Sequence, residues 1–524
     1  MKGAEVLEPS AHVDTFCRDR LPPMELWPDM SYDVLPELAA YPRRMNCGVE
    51  LLDRQVARGS GDRTVFLFPG GRWTYTDLLE RANRIARVLV EDLGVVPGAR
   101  VLLRGRNGPM MAACWFAVLK AGAVVVCTMP LLRTRELVFT ADKAQIALAL
   151  CEDDIAGDCD GAMQGRGRVV RFGGDGAAGS LEAMMAAKPA TFDNVETAWD
   201  DVALIAFTSG TTGQGKGTMH FHRDVLAVCD CFPPYVLRAT PDDVFIGSPP
   251  FAFTYGLGGL VLFPMRIGAS AVLLPQATPP HLIRGIAEYG ATVCFTAPTA
   301  YRAMLPLLEQ HDVSGLRLCV SAGETLPRST FEAWERATGI RIIDGIGATE
   351  MLHIFISASG DGIRPGSTGR AVPGYEARVV DERGAPLPPG TIGRLAVRGP
   401  TGCRYLDDAE RQQAYVQEGW NLTGDSYIMD ADGWFWYQAR TDDMIISAGN
   451  NISGPEVESV LLEHPAVQEC GVVGLPDEER GQAVTAFVVV REGHEAGPAL
   501  AKALQDYVKH EIAPYKYPRR VEFV

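Results

Sequence analysis

Thr208-Ser209-Gly210-Thr211-Thr212-Gly213-Gln214-Gly215-Lys216-Gly217 follows directly on Ala203 to Phe207, a short run rich in β-forming residues. A strand that feeds such a loop points to an α/β fold with a phosphate site at the strand's end. Glycines let the backbone turn tightly and aim its N–H groups inward, and the hydroxyls and the lysine add donors for the oxygens of a polyphosphate. Gly210 to Lys216 satisfies the spacing G-x-x-x-x-G-K, but the next residue is Gly217, where that motif needs a magnesium-holding hydroxyl. A P-loop nucleoside triphosphatase is therefore disfavoured.

Outward from this loop the same alternation recurs on both sides. Upstream, to about residue 200, Thr74-Tyr75 opens a helix whose Leu78, Ala82, Ile85, Ala86 and Leu89 form one apolar stripe. Val101 to Leu103 and Val124 to Val126 read as buried strands around a helical run from Met110 to Leu119. Downstream, to residue 440, Ala291 to Phe295 and Arg317 to Val320 are further short strands with helices between them. Leu257 to Leu274 is the most apolar stretch; Pro264, Arg266 and several glycines break it, so it reads as a buried strand–turn–strand and not as a membrane span. From Gly366 to Gly399, short strands with Gly/Pro turns mark a small β-rich subdomain. Beyond residue 442, Pro455 to Leu462 and Ala499 to Ile512 read as helices, and Cys470 to Gly474 and Ala483 to Val490 as strands. The expected architecture is α/β: a large domain over 1–441 with parallel-sheet α/β subdomains and a β-rich subdomain, then a small α+β domain over 442–524.

Composition excludes several classes. The 524 residues are 47% hydrophobic and 22% charged, ordinary for a globular chain. A net charge of −16 repels phosphate backbones and anionic membranes, so neither nucleic acid nor a membrane is expected as a partner. Met1 to Ser10 shows no apolar stretch of a secretory signal, and the twelve cysteines lack paired spacing. Reduced thiols in a cytoplasmic protein, monomer or homodimer, are the expectation.

The loop at Thr208 to Gly217 resembles the phosphate-binding loop of the adenylate-forming superfamily of acyl-CoA synthetases, peptide-synthetase adenylation domains and luciferases. Further matches follow in order: Leu119 to Ala123, Gly345-Ile346-Gly347-Ala348-Thr349-Glu350, Thr423-Gly424-Asp425 and Arg440-Thr441-Asp442-Asp443. Phe251 to Gly258, Glu350 to Phe355 and Asp443 to Gly449 resemble the aryl-CoA ligase branch, above all benzoate- and 2-aminobenzoate-CoA ligases.

The resemblance implies ATP, Mg2+ and coenzyme A as cofactor and substrates, with a small aryl acid. Ser209, Gly210, Thr211, Thr212 and Gly213 would cradle phosphates beside the catalytic Thr208 and Lys216. Thr349 would donate to the α-phosphate and Glu350 would hold Mg2+. Gly323, Glu324, Asp344, Gly345, Ile346 and Gly347 would line the adenine, although Ile346 stands where the family has a stacking tyrosine. Asp425 would accept from both ribose hydroxyls, and Arg440 would reach the ribose or phosphate. Phe253, Tyr255, Ala297, Ala322, Gly347 and His353 would form a flat aryl slot, with His353 one helical turn after Glu350.

Asp442 matches the hinge about which the family rotates a mobile C-terminal domain between its two half-reactions. Gly449 would line the thiol tunnel, followed by Asn450-Asn451 where related ligases place an aromatic. The family's Pro-Lys-Thr-x-x-Gly-Lys motif has no counterpart before Val524, so truncation is expected; were Val524 the true end, adenylation would be slow and thioester formation less impaired. Neither Lys216, in the phosphate loop, nor Lys516, expected in a surface turn, would replace the lysine of that motif. The leading expectation is an aryl-CoA ligase for 2-aminobenzoate, with benzoate or a hydroxybenzoate next. An enzyme loading a carrier-protein thiol and a non-catalytic binder of aryl acids or nucleotides remain open.

Overall fold

The computed structural model describes residues 7–208, 215–440, 444–447, 450–477, 480–512 and 514–524. Two large sheets carry the N-terminal part. The first orders its strands Arg168–Phe172, Leu148–Glu152, Arg100–Arg104, Val124–Thr128, Val202–Thr208 and Lys216–Phe221. All neighbours run parallel except the last pair, which is antiparallel. The Val124–Thr128 and Arg100–Arg104 strands are almost wholly buried, because the Pro109–Lys120 helix covers them with a face of Ala, Trp and Phe side chains.

The second sheet has nine strands, with six parallel ones at its centre: Ile343–Gly347, Leu318–Ser321, Val293–Thr296, Val244–Gly247, Ser270–Val272 and Thr64–Phe68. The hairpin Thr64–Phe68/Gly71–Thr74 belongs to this second sheet, whereas Val202–Phe221 completes the first. No single point near residue 200 therefore separates the two sheets along the chain. Long-range strand pairing, which local periodicity cannot report, interlocks the two halves. Thr74 caps the helix Tyr75–Arg87 through a reciprocal bond with Asp77.

The stretch Leu257 to Leu274 also departs from its reading. Thr254–Leu257, Gly258–Leu262 and Phe263–Ile267 are successive helical turns, and only Ser270–Val272 is a strand. Pro264 occupies the first turn of the last helical piece, where its missing N–H costs nothing. Gly258 and Gly259 allow close approach: a Cβ there would lie 2.3 Å from the His353 ring and 2.7 Å from the Phe295 ring, respectively.

A five-stranded antiparallel sheet, Glu376–Val380, Ile392–Arg398, Trp420–Met429, Val416–Gln417 and Phe435–Arg440, forms the β-rich subdomain. The C-terminal segment builds another sheet around Val467–Asp477 and Gly481–Val490, packed by Gly454–Glu463 and Pro498–Glu511 over its own core of Val457, Leu461, Val488, Leu504 and Val508. Among the described residues no helix is long and apolar enough to cross a membrane, and the described cysteines are free.

Candidate active site

Parallel sheets bind ligands beyond the carboxyl ends of their strands, where connecting loops diverge. Thr208 ends one such strand, Gly323 and Glu324 follow another, and Gly345 to Gly347 close a third. These ends meet the β-rich subdomain across a cleft of about 600 Å3. Thr208 and Lys216 line it together with Gly323, Glu324, Asp344, Gly345, Ile346, Gly347, Glu350, Asp425 and Arg440. Lys216 and Asp425, far apart in the sequence, therefore share one cavity. Thr349 sits between two lining residues, Ala348 and Glu350.

The Asp425 end is preorganised. The Asp425 Oδ1 accepts from Arg440 Nη1 at 3.1 Å, and Arg440 also donates to the Thr423 carbonyl at 3.2 Å. Burial still raises the Asp425 pKa, with Arg440 opposing that shift. Gly424 has φ +79°, and a Cβ there would stand 2.8 Å from Arg440 Nη2. The position requires glycine twice over, for conformation and for space.

At the other end, Glu350 is buried and its Oε1 accepts from the Tyr405 hydroxyl at 2.5 Å. Lys216 Nζ lies 5.7 Å from the centre of the same tyrosine ring. The Thr349 carbonyl accepts from His220 Nε2 at 2.8 Å, which fixes the protonated nitrogen of that ring. Burial lowers the His220 pKa to about 4, so the ring is neutral. Burial pushes Asp344, beside Gly345 in the cleft wall, up to about 7. Glu324 accepts from the Thr299 N–H at 3.3 Å and its hydroxyl at 3.2 Å.

The acyl residues gather at the same sheet edge, behind the cleft. The Tyr255 hydroxyl donates to the Thr296 and Val320 carbonyls at 3.2 and 3.0 Å, next to Ala297 and close to Ala322. Its polar tip is thus engaged by the strands, and the ring is what it presents. His353 packs against Phe263 at 4.4 Å and Tyr255 at 5.8 Å, and burial lowers its pKa to about 3. It does not continue a helix from Glu350. Thr349–Met351 is a single 3-10 turn, and Leu352 at φ +69° redirects the chain into the strand Ile354–Ser357. Phe253 is 45% exposed at the loop. Lys120, in the early motif, is fully buried against Asp53 at 2.5 Å. Lys516 lies on a 3-10 turn and donates to Glu456 at 2.6 Å. Ser209, Gly210, Thr211, Thr212, Gly213, Asp442 and Gly449 lie outside the described residues.

Tyr405, Tyr415 and Tyr437 were not singled out from the sequence. Tyr415 and Tyr437 line the cleft and Tyr405 supports Glu350. No spacing signal marks them: Tyr405 lies in the segment before the helix Ala409–Tyr415, Tyr415 ends that helix and Tyr437 lies in the strand Phe435–Arg440, and only the fold brings these over the nucleotide motifs.

The model of the AMP-binding enzyme family matches residues 52–404, and that of the AMP-binding enzyme C-terminal domain matches 456–524. The chain belongs to the AMP-binding enzyme family. Within it, the benzoate–CoA ligase of Thauera aromatica is 34% identical over 497 residues, covering 93% of this chain and 94% of that protein. A crystal structure of the anthranilate CoA ligase AuaEII in complex with anthranoyl-AMP superposes with TM-score 0.88 at 34% identity, covering 93% of this chain and 94% of the other. A benzoate CoA ligase from Burkholderia xenovorans LB400 gives TM-score 0.84 at 31% identity, covering 92% and 96%. Family membership and these likenesses place the chain on the adenylate-forming aryl-CoA ligase branch.

Proposed function

We propose that this AMP-binding enzyme activates an aromatic carboxylic acid with ATP and transfers the aroyl group to the thiol of coenzyme A, with 2-aminobenzoate as favoured acid and benzoate beside it. The observation that carries this reading is the single cleft lined at one end by Thr208 and Lys216 and at the other by Asp425 and Arg440. That span suits one nucleotide, its ribose diol on Asp425 and its triphosphate reaching Lys216. Gly323, Glu324, Asp344, Gly345, Ile346 and Gly347 then hold the adenine, with an aliphatic contact from Ile346.

In the first step the acid's carboxylate attacks the α-phosphorus and pyrophosphate leaves. Thr349 donates to the α-phosphate as its charge rises, and Lys216 and Thr208 hold the tail. The chemistry of Glu350 fits Mg2+: Tyr405 occupies one carboxylate oxygen, and the carboxylate lines the cleft, where it would hold the ion together with nucleotide phosphates. Mg2+ is held in this way by one or two carboxylates, phosphate oxygens and water. When bound, the metal neutralises charge on the phosphates. In the second step the thiol attacks the acyl carbon and AMP leaves.

The aromatic walls around Tyr255, Phe295 and His353, with small Ala297, Ala322 and Gly347 nearby, support a flat ring over a long alkyl chain. The gap between the two matched segments supports a domain boundary after residue 441, with Asp442 as hinge and Gly449 lining the thiol path. Pyrophosphate release with ATP and a panel of benzoates, followed by mass spectrometry after adding CoA, tests the reading. The expected product is 2-aminobenzoyl-CoA or benzoyl-CoA. Absence of pyrophosphate release with every aryl acid would remove it.

A further inference from the structure

Behind Lys216 lies a second cavity of about 70 Å3, room for on the order of five waters at roughly 10–15 Å3 each. Its wall includes Lys143, Lys216, Arg411, Tyr405 and Asp408. Lys143 ends the helix Thr134–Lys143 and Arg411 lies in the helix Ala409–Tyr415, so three cations converge from three separate elements. Lys143 Nζ donates to the Asp407 carbonyl at 3.0 Å, a neutral partner, and no ion pair to it occurs among the described residues. Arg411 pairs with Asp408 at 3.3 Å. With one carboxylate against three cations, the pocket is net positive in a chain of net charge −16. Gly215 lines it too; a Cβ there would lie 2.9 Å from the Phe139 ring, so glycine keeps this wall open.

Lys216 belongs to both cavities. On the far side of the Tyr405 ring, the hydroxyl holds Glu350 in the nucleotide cleft. We infer that this pocket is the subsite for the departing pyrophosphate, a place beyond Lys216 into which the anion moves once the α–β phosphate bond has broken. The inference rests on the adenylation reading. In that step a bond forms between the carboxylate oxygen and the α-phosphorus. The α–β bond breaks, and its electron pair leaves on the β-phosphate oxygen. The freed anion carries one more charged oxygen than it did within the anhydride, so a cationic pocket one lysine away draws it from the cleft and opposes reversal.

ATP–pyrophosphate exchange tests this. In Lys143→Ala and Arg411→Ala the KM for pyrophosphate rises about tenfold, as expected for loss of one charge-assisted contact, while the KM for ATP changes much less. Lys143→Arg recovers most of the loss, and circular dichroism and a melting curve check that each variant folds. Pyrophosphate and ATP constants that rise together, or a pyrophosphate constant that stays put, would overturn the inference. Titration calorimetry with pyrophosphate alone separates the two readings. Wild-type binding that both variants weaken, without exchange for any aryl acid, keeps the subsite and removes the adenylation reading. Equal binding by wild type and variants removes the subsite.

Discussion

Asp425 and Glu350 are the two buried carboxylates on which the nucleotide reading turns, Asp425 held by Arg440 and Thr423 and Glu350 by Tyr405. Arg440 holds Asp425 at 3.1 Å, leaving acceptor capacity for a ribose diol. Asp425→Ala removes hydrogen bonds to a charged acceptor, roughly 1.5–3 kcal/mol each. We expect the KM for ATP to rise by about ten- to a hundredfold, while the melting temperature moves only slightly because burial opposes this charge in the free protein. An unchanged ATP dependence would take Asp425 out of the ribose site. Tyr405→Phe deletes only the hydroxyl that holds Glu350. The variant should bind Mn2+, used as a probe in the presence of ATP, about tenfold more weakly by electron paramagnetic resonance, with the ring still packed on Tyr415 at 5.7 Å. Equal metal affinity in the variant would show that Glu350 needs no such support.

At the scale of elements, the legible parts were those in which local pattern and burial agree. Val202–Thr208 and Pro109–Lys120 fell within a residue or two of their reading, because each is an apolar run with clear polar or glycine boundaries whose burial suits only one element. The stretch after Leu257 failed for the complementary reason. A run that is apolar on every side carries no period, and helix there is decided by packing, with Gly258 and Gly259 admitting the His353 and Phe295 rings. Tyr405 and Tyr415 were illegible because their roles exist only once the β-rich subdomain lies over the nucleotide motifs. The close approach at Gly258 gives a test. In Gly258→Ala the new methyl would sit 2.3 Å from His353 Cδ2, an overlap worth about 1–3 kcal/mol of stability. The variant should also shift preference among substituted benzoates if the displaced imidazole belongs to the proposed aryl slot beside Tyr255. Combining it with His353→Ala should restore part of the stability, and purely additive losses would mean that the two groups do not meet.

Over the whole molecule, interlocked sheets and buried histidines tie stability to pH. The Thr64–Thr74 hairpin lies in the second sheet and the Val202–Phe221 hairpin in the first, so neither can unravel alone, and the large domain should melt in a single transition. His220 is held neutral inside it, with its pKa lowered to about 4 by burial, and Asp224 and Arg404 beside it pull in opposite directions. As pH falls, the unfolded chain takes up a proton on this ring near 6.5, while the folded protein resists until about 4. The stabilisation is therefore complete above pH 6.5 and is lost progressively down to 4. At 1.36 kcal/mol per pH unit, the loss between pH 6.5 and 5 is about 2 kcal/mol from this residue. His353, with its pKa at about 3, adds a term of the same sign, whereas Asp344, raised to about 7, acts oppositely because its protonated form is the one the fold prefers. Urea unfolding at pH 7, 6 and 5 should show stability falling, and His220→Asn, whose amide can still donate to the Thr349 carbonyl, should flatten that fall by about 2 kcal/mol. A variant with the same pH slope as the wild-type chain would mean that His220 is not held neutral in the folded protein.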